Sequence, residues 1–356
     1  MSLTSLPPEL LDAIFQPLAA ASLAALAISC SSLTALANRQ LYRHLSLSSH
    51  AHNLSAVQSI ANNIPLASLV RTFSISVLES DTSTHEYCVL LSKILGDLRE
   101  LTSLEVLIGP DASWVLPTTP TLFFPRLQHL TTSFIFDVNV AAFLSRTPHL
   151  LSLQLSSTFA ASETSELLPS AVPKLTSYTG PASLLPALLS SSRPLTTLHL
   201  SGDLTLPDID HLALSGHDPV LPDVKPGEDG CELGKPRIQV LSAITSTPPV
   251  TVLEALGKAC PSLVCLRVMT TCAFWEAPDL NFYAKVANTL SSLRHLSSFE
   301  LSGMHWESRP KPVTSNDSII EKEWISPPVT PRVIEEDPAP QDYYAEFEES
   351  FMEWAY

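Results

Sequence analysis

The sequence predicts an α/β protein in which short parallel strands alternate with helices, behind a segment of three N-terminal helices. Two observations carry this expectation. Apolar triplets of the form Leu-x-x-Leu-x-Leu recur between Val70 and Leu301, and several of the stretches between them carry apolar residues at helical spacing. Ahead of them, Leu6 to Leu45 contains helix-start signals and one clear apolar stripe.

That N-terminal stripe begins at Leu6-Pro7-Pro8-Glu9-Leu10. Proline suits the first turn of a helix, where the N–H groups lack acceptors and a fixed φ costs nothing. Glu9 and Asp12 then face the positive end of the helix dipole. Leu10, Leu11, Ile14, Phe15 and Leu18 follow at i, i+1, i+4, i+5 and i+8 and form one apolar face. Ser22 is the expected N-cap of a second helix over Leu23–Ile28, and Ser31 or Ser32 that of a third running from Leu33 to about Leu41. Three helices in about 45 residues bury too little surface to be secure alone, so their size implies a partner.

The order Leu-Pro-x-Glu-Leu, Ile-Phe-x-x-Leu, Leu-x-x-Leu, a Cys, and a last helix ending Leu41-Tyr42-Arg43-His44-Leu45 resembles an F-box, the fungal type in particular. It covers about an eighth of the chain. Ser29, Ser31, Ser32 and Leu33 stand where the family usually carries a Val, basic residues and a Trp. The resemblance implies that these helices dock on a Skp-type adaptor, and through it on a cullin, while the rest of the chain captures a protein substrate. It implies an adaptor-binding set of Leu6, Pro7, Leu10, Leu11, Ile14, Phe15, Leu18, Leu23, Leu26 and Leu33. The expected role is the substrate-recognition subunit of a Skp-cullin-F-box type ubiquitin ligase. The alternative is a scaffold or binding protein outside any ligase, whose N-terminal helices only cap the repeats.

Composition narrows the remaining classes. A chain of 356 residues, 45% hydrophobic, can bury a sizeable core, and 30 Pro against 10 Gly predict stiff connections. A net charge of −16 argues against nucleic acid as a partner, because phosphate binding needs a basic surface. Six cysteines without a CxxC pair predict reduced thiols in a cytoplasmic or nuclear protein. Cys260, Cys265 and Cys272 match no common zinc spacing, and no metal is expected. Ala13 to Asn38 carries no charge, but Gln16, Pro17, five Ser/Thr residues and weakly apolar Ala argue against a membrane span.

First anchors of the triplets fall at Val70, Leu104, Leu127, Leu150, Leu175, Leu195, Ile238, Leu263 and Leu296, at intervals of 34, 23, 23, 25, 20, 43, 25 and 33 residues. About half the intervals lie within the 20–29 residues of leucine-rich repeats. Each anchor is expected to be a short strand with alternate side chains inward, followed by a segment that returns the chain to the next strand. Tyr87–Leu98, Val138–Leu144, Ser183–Leu189, Val252–Ala259 and Asn281–Leu293 have the spacing for returning helices. The pattern resembles the degenerate leucine-rich repeats that often follow a fungal F-box, although most repeats lack the Asn or Cys that closes the strand turn.

The expected organisation is an F-box-like helical domain over 1–48 and a leucine-rich-repeat-like solenoid over 49–306. The solenoid is interrupted at about 203–235, where eight acidic residues and four glycines gather. A Pro/Ser-rich linker over 307–334 and an acidic, aromatic tail over 335–356 follow. The tail holds eight acidic residues and no Lys or Arg, with Tyr343, Phe347, Phe351 and Trp354 on one helical face. No Gly-rich phosphate loop, Gly-x-Ser-x-Gly or His-Glu-x-x-His is present, so neither a cofactor nor catalysis by the chain itself is expected.

Overall fold

The computed structural model describes residues 6–48, 53–77, 84–156, 167–190, 193–214, 238–272, 280–310 and 322–325. The chain divides into two compact units, 1–177 and 178–356. The expected acidic tail over 335–356 and most of the expected insertion lie outside the described residues.

The first unit opens with α1 (Pro8–Phe15), α2 (Ala20–Ser29) and α3 (Ser31–Arg43). Two cap assignments change. α2 starts at Ala20 with Ala19 as its N-cap, and α3 starts at Ser31 with Cys30 before it, so Ser22, Ser31 and Ser32 lie inside helical turns. Cys30 is extended, at φ −153° and ψ 123°, and reverses the chain one residue earlier than a serine cap would. The Thr34 hydroxyl donates to the carbonyls of Ala27 at 2.7 Å and Cys30 at 3.1 Å, tying the start of α3 to the end of α2.

α3 does not run on to Leu45, because the chain passes directly into β1 (His44–Ser48). α4 (Ser55–Ala61) and α5 (Ile64–Ala67) follow, then β2 (Thr72–Ser76), α6 (Thr84–Asp97), β3 (Ser103–Leu107), β4 (His129–Thr132), α7 (Val138–Leu144) and β5 (Ser152–Leu155). The five strands are parallel neighbours in sequence order. Their register puts Leu45, Phe73, Leu104, Leu130 and Leu153 in one row and Leu47, Ile75, Val106, Thr132 and Leu155 in the next. Almost all of these side chains are buried, which is what period-two alternation on a half-covered sheet requires.

One anchor shifts. The second triplet begins at Leu101 rather than Leu104, so that Leu101, Leu104 and Val106 enter the core while Leu107 turns to the other face. In each neighbouring triplet the first anchor sits in the turn before its strand, and Leu101 occupies that place. The turns themselves form a ladder: the N–H groups of Thr102, Gln128, Leu151 and Thr176 donate to the carbonyls of Arg71, Thr102, Gln128 and Leu151 at 2.8–2.9 Å. At the outer edge of the sheet, the Asn53 carboxamide accepts from the Ser48 N–H at 2.9 Å and donates to the Ser46 carbonyl at 2.8 Å. These bonds occupy backbone groups that an edge strand would otherwise present.

The second unit contains β6 (Ser177–Pro181), α8 (Leu185–Leu189), β7 (Thr197–Asp203), α9 (Leu206–Leu214), β8 (Val240–Thr245), α10 (Pro249–Ala259), β9 (Cys265–Thr270), α11 (Leu280–Ser292) and β10 (Ser298–Leu301). Strands β7 to β10 are parallel. Leu198, Leu241, Leu266 and Phe299 share one buried row, and Leu200, Ala243, Val268 and Leu301 the next. Part of the region expected as an insertion is regular structure, since Asp203 closes β7 and α9 follows, with Ile209 and Leu212 buried. Its acidic composition masked the apolar pair at helical spacing.

Parallel pairing ends at β10. Two further strands run antiparallel to their neighbours: β11 (Met304–Pro310), which starts at the end of the expected solenoid and enters the stretch expected as linker, and β12 (Lys322–Ile325), which lies inside that stretch. Ser302 and Gly303, at φ +46° and +81°, make the two-residue turn between β10 and β11. Positive φ at both central residues is the geometry that matches the twist of a tight hairpin. Trp306 and Trp324 are each 4% exposed, and Trp306 meets Tyr283 and Phe299 at centroid distances of 5.9 and 6.0 Å. The end of this sheet is therefore covered by a hairpin and two tryptophans. Proline and serine in the surrounding sequence hid the alternation.

Candidate functional site

The N-terminal helices sort their apolar residues into two groups. Leu11, Phe15, Leu23, Leu33 and Ala37 are at most 5% exposed and form a closed core, with Leu6, Leu18, Leu26, Ala27, Cys30, Leu36 and Leu41 packed half-buried around it. Leu11 and Phe15 are four residues apart on α1 and point inward together. Leu10 and Ile14 are also four apart, and they point outward, 53% and 43% exposed. Apolar groups paired at i and i+4 share a helix face, so α1 is apolar on two sides, one consumed and one free.

Of the ten residues expected to meet an adaptor, Pro7, Leu10 and Ile14 are therefore exposed, Leu6, Leu18 and Leu26 are half-buried, and Leu11, Phe15, Leu23 and Leu33 belong to the helices' own core. The reason lies in the sequence spacing. A stripe of i, i+1, i+4, i+5 is wider than one contact surface, and a three-helix segment claims half of it for folding. Sequence reasoning missed Ile28, which stands 89% exposed near the end of α2. It lies outside the α1 stripe and carries no periodic signal of its own.

The backbone under this surface is well anchored. Pro8 occupies the first helical turn, and the Pro7 carbonyl accepts the N–H groups of Leu10 and Leu11 at 3.1 and 3.2 Å. Asp12 on α1 forms an ion pair with Arg39 on α3 and accepts a bond from Gln40 Nε2 at 3.4 Å. The Cys30 thiol sits 2.9 Å from the Ser32 hydroxyl, and hydrogen bonding to Ser32 lowers its pKa from the ordinary thiol value.

Two other surfaces carry polar chemistry. On the solvent face of the second unit's sheet, Arg267 pairs with Glu300, whose carboxylate also lies 3.7 Å from His305 Nδ1. Burial, and then the positive charge of Arg267, lowers the pKa of His199 on the same face. In the first unit, Arg126, His149 and Lys174 gather in the turns before the strands, beside a groove that also includes Gln128 and Leu151. Among the described residues, no group of three or more His, Cys, Asp or Glu is placed to hold a metal ion, and no helix is long and apolar enough to cross a membrane.

No curated protein matches the chain. Residues 3–48 match the family model described as F-box-like, a span that includes α1, α2, α3 and β1. With an apolar core closed beneath an exposed Leu10–Ile14 face, the N-terminal segment is an F-box-like domain.

Proposed function

We propose that the protein is the target-recognition subunit of a Skp-cullin-F-box type ubiquitin ligase. In this reading Pro7, Leu10 and Ile14 dock on a Skp-type adaptor, Ile28 widens the contact, and the adaptor links the chain to a cullin. The observation that carries it is the pair of large apolar side chains left outside a core that is complete without them. Two such residues four apart on a helix fit a groove on a partner better than they fit water. Leu11, Phe15, Leu23 and Leu33 hold the surface in shape and do not touch the adaptor.

The parallel strands, with Leu-x-x-Leu-x-Leu anchors in register, fit degenerate leucine-rich repeats of the fungal F-box type, stacked as a solenoid. Their solvent-facing residues would hold a protein target. The chain then contributes no catalytic group; transfer of ubiquitin belongs to the assembled ligase.

A second reading has its own support. α3 runs without a break into β1, which pairs in parallel with β2, so the helices also cover the first strand of the sheet. Terminal repeats need such a cover. If covering were their whole role, the full chain would not bind adaptor. Co-elution of the full chain with a Skp-type adaptor in size-exclusion chromatography supports the ligase reading, and separate elution at micromolar concentrations supports the capping one.

A further inference from the structure

Several turns that precede the strands of the first unit carry a cation or an imidazole. Arg71 lies ahead of β2, Arg126 ahead of β4 and His149 ahead of β5, with Lys174 in the next turn. The carbonyl ladder already described joins these turns, so their side chains are held at the strand spacing of about 4.8 Å per step. Beside them lies a groove of about 410 Å³, lined by Thr102, Arg126, Gln128, His149, Leu151 and Lys174 among others, none of them acidic.

The charges at this rim do not cancel. Arg126 and Arg71 share a single carboxylate, Glu100, at 2.8 and 3.5 Å. Lys174 Nζ lies 2.9 Å from His149 Nδ1, a contact that brings no negative charge to the rim. Among the described residues, two guanidinium groups and an ammonium thus face one carboxylate, in a chain whose net charge is −16. The excess is local. A long polyanion such as nucleic acid would meet the acidic remainder of the chain, whereas a short acidic segment would meet only the groove.

We propose that this groove binds a short acidic peptide segment of the target protein, its carboxylates reaching Arg126 and Lys174. The turns that carry those two residues are two strand steps apart, about 10 Å, which is close to one three-residue turn of a polyproline II segment at about 3.1 Å per residue, where residues i and i+3 face the same side. The bound segment therefore carries Asp or Glu at positions i and i+3, with the two residues between them over Leu151. This names a target class for the ligase reading and takes its biological sense from it. The binding itself is measured without adaptor, so either can fail while the other stands.

The test is fluorescence anisotropy of the full chain with a labelled peptide, Glu-Ala-Ser-Glu-Ala-Ser-Glu, against a control in which Gln replaces every Glu. The expected result is saturable binding of the acidic peptide alone, weakened about tenfold or more between about 0.05 and 0.5 M salt. Arg126→Gln with Lys174→Gln is expected to reduce affinity by about tenfold or more, since truncating a charge pair removes its attraction. Lys93→Gln, on the exposed side of α6, is expected to change nothing. If the double variant melts early, Lys174→Gln alone decides, because it leaves the Arg126–Glu100 pair in place. Equal binding of the Gln control, no binding at about millimolar peptide, or unchanged affinity in the folded variants overturns the proposal.

Discussion

Asp12 of α1 and Arg39 of α3 form an ion pair across the N-terminal bundle, with side chains 29% and 45% exposed. At that exposure water screens much of the attraction, and such pairs contribute at most about 1 kcal/mol. Asp12→Ala is therefore expected to lower the urea midpoint of the bundle only slightly. Its adaptor affinity is expected to fall by less than about fivefold, because the pair sets the angle of α1 and is not itself the contact. A loss as large as that caused by deleting the apolar face would assign the pair a direct role.

Trp324 gives a second prediction. It is buried in β12, against a sheet end where Trp306, Tyr283 and Phe299 also meet. Trp324→Ala should destabilise the second unit by about 3–5 kcal/mol, the usual range for a large-to-small change of an aromatic core residue. Hydrogen exchange in β10 and β11 should rise with it. Removing residues 337–356 should leave exchange over 281–306 as it was, since the hairpin already covers this end. A rise on removing the tail would show instead that the tail shares in the cover.

His199 makes the second unit's stability depend on pH. Burial and the nearby Arg267 disfavour its charged form, so its pKa in the folded chain lies below that of the unfolded chain. Between the two values the unfolded state binds the proton and the folded state does not, so stability increases with pH across that window. The contribution of the neutral imidazole is complete above the unfolded value of about 6.5 and falls as pH drops through it. Urea midpoints measured between about pH 7.5 and 5 should decline, and His199→Gln should flatten that decline. Identical slopes in the two proteins would remove His199 as the cause.

Much of this fold could be read from residue spacing. The rows Phe73–Leu104–Leu130–Leu153 and Leu198–Leu241–Leu266–Phe299 follow from one recurrent pattern, because a half-covered strand reports its inward face at every second residue. Strands β1 and β12 escaped because five or four residues of alternation, beside a helix end or within Pro- and Ser-rich sequence, look like many other short stretches. Leu107 was drawn into the wrong face because Leu104 and Leu107 also share the anchor spacing. On α1, the sequence marked the apolar residues but not which face the other helices would take. The groove at Arg126, His149 and Lys174 was invisible for a different reason: its residues come from separate turns and meet only through strand pairing.

The most direct test of the account is the affinity of a Skp-type adaptor for the full chain carrying Leu10→Asp with Ile14→Asp, measured by calorimetry beside the unmodified chain. Both side chains already face water, so the variant should keep the melting profile and the amide protection of residues 8–43. Affinity should fall by about a hundredfold or more, because charges without partners would enter a desolvated apolar contact. Phe15→Ala, which empties the core beneath, should instead lose amide protection across the bundle along with adaptor binding. Unchanged adaptor affinity in the folded Leu10→Asp, Ile14→Asp chain would contradict the docking of this face on an adaptor.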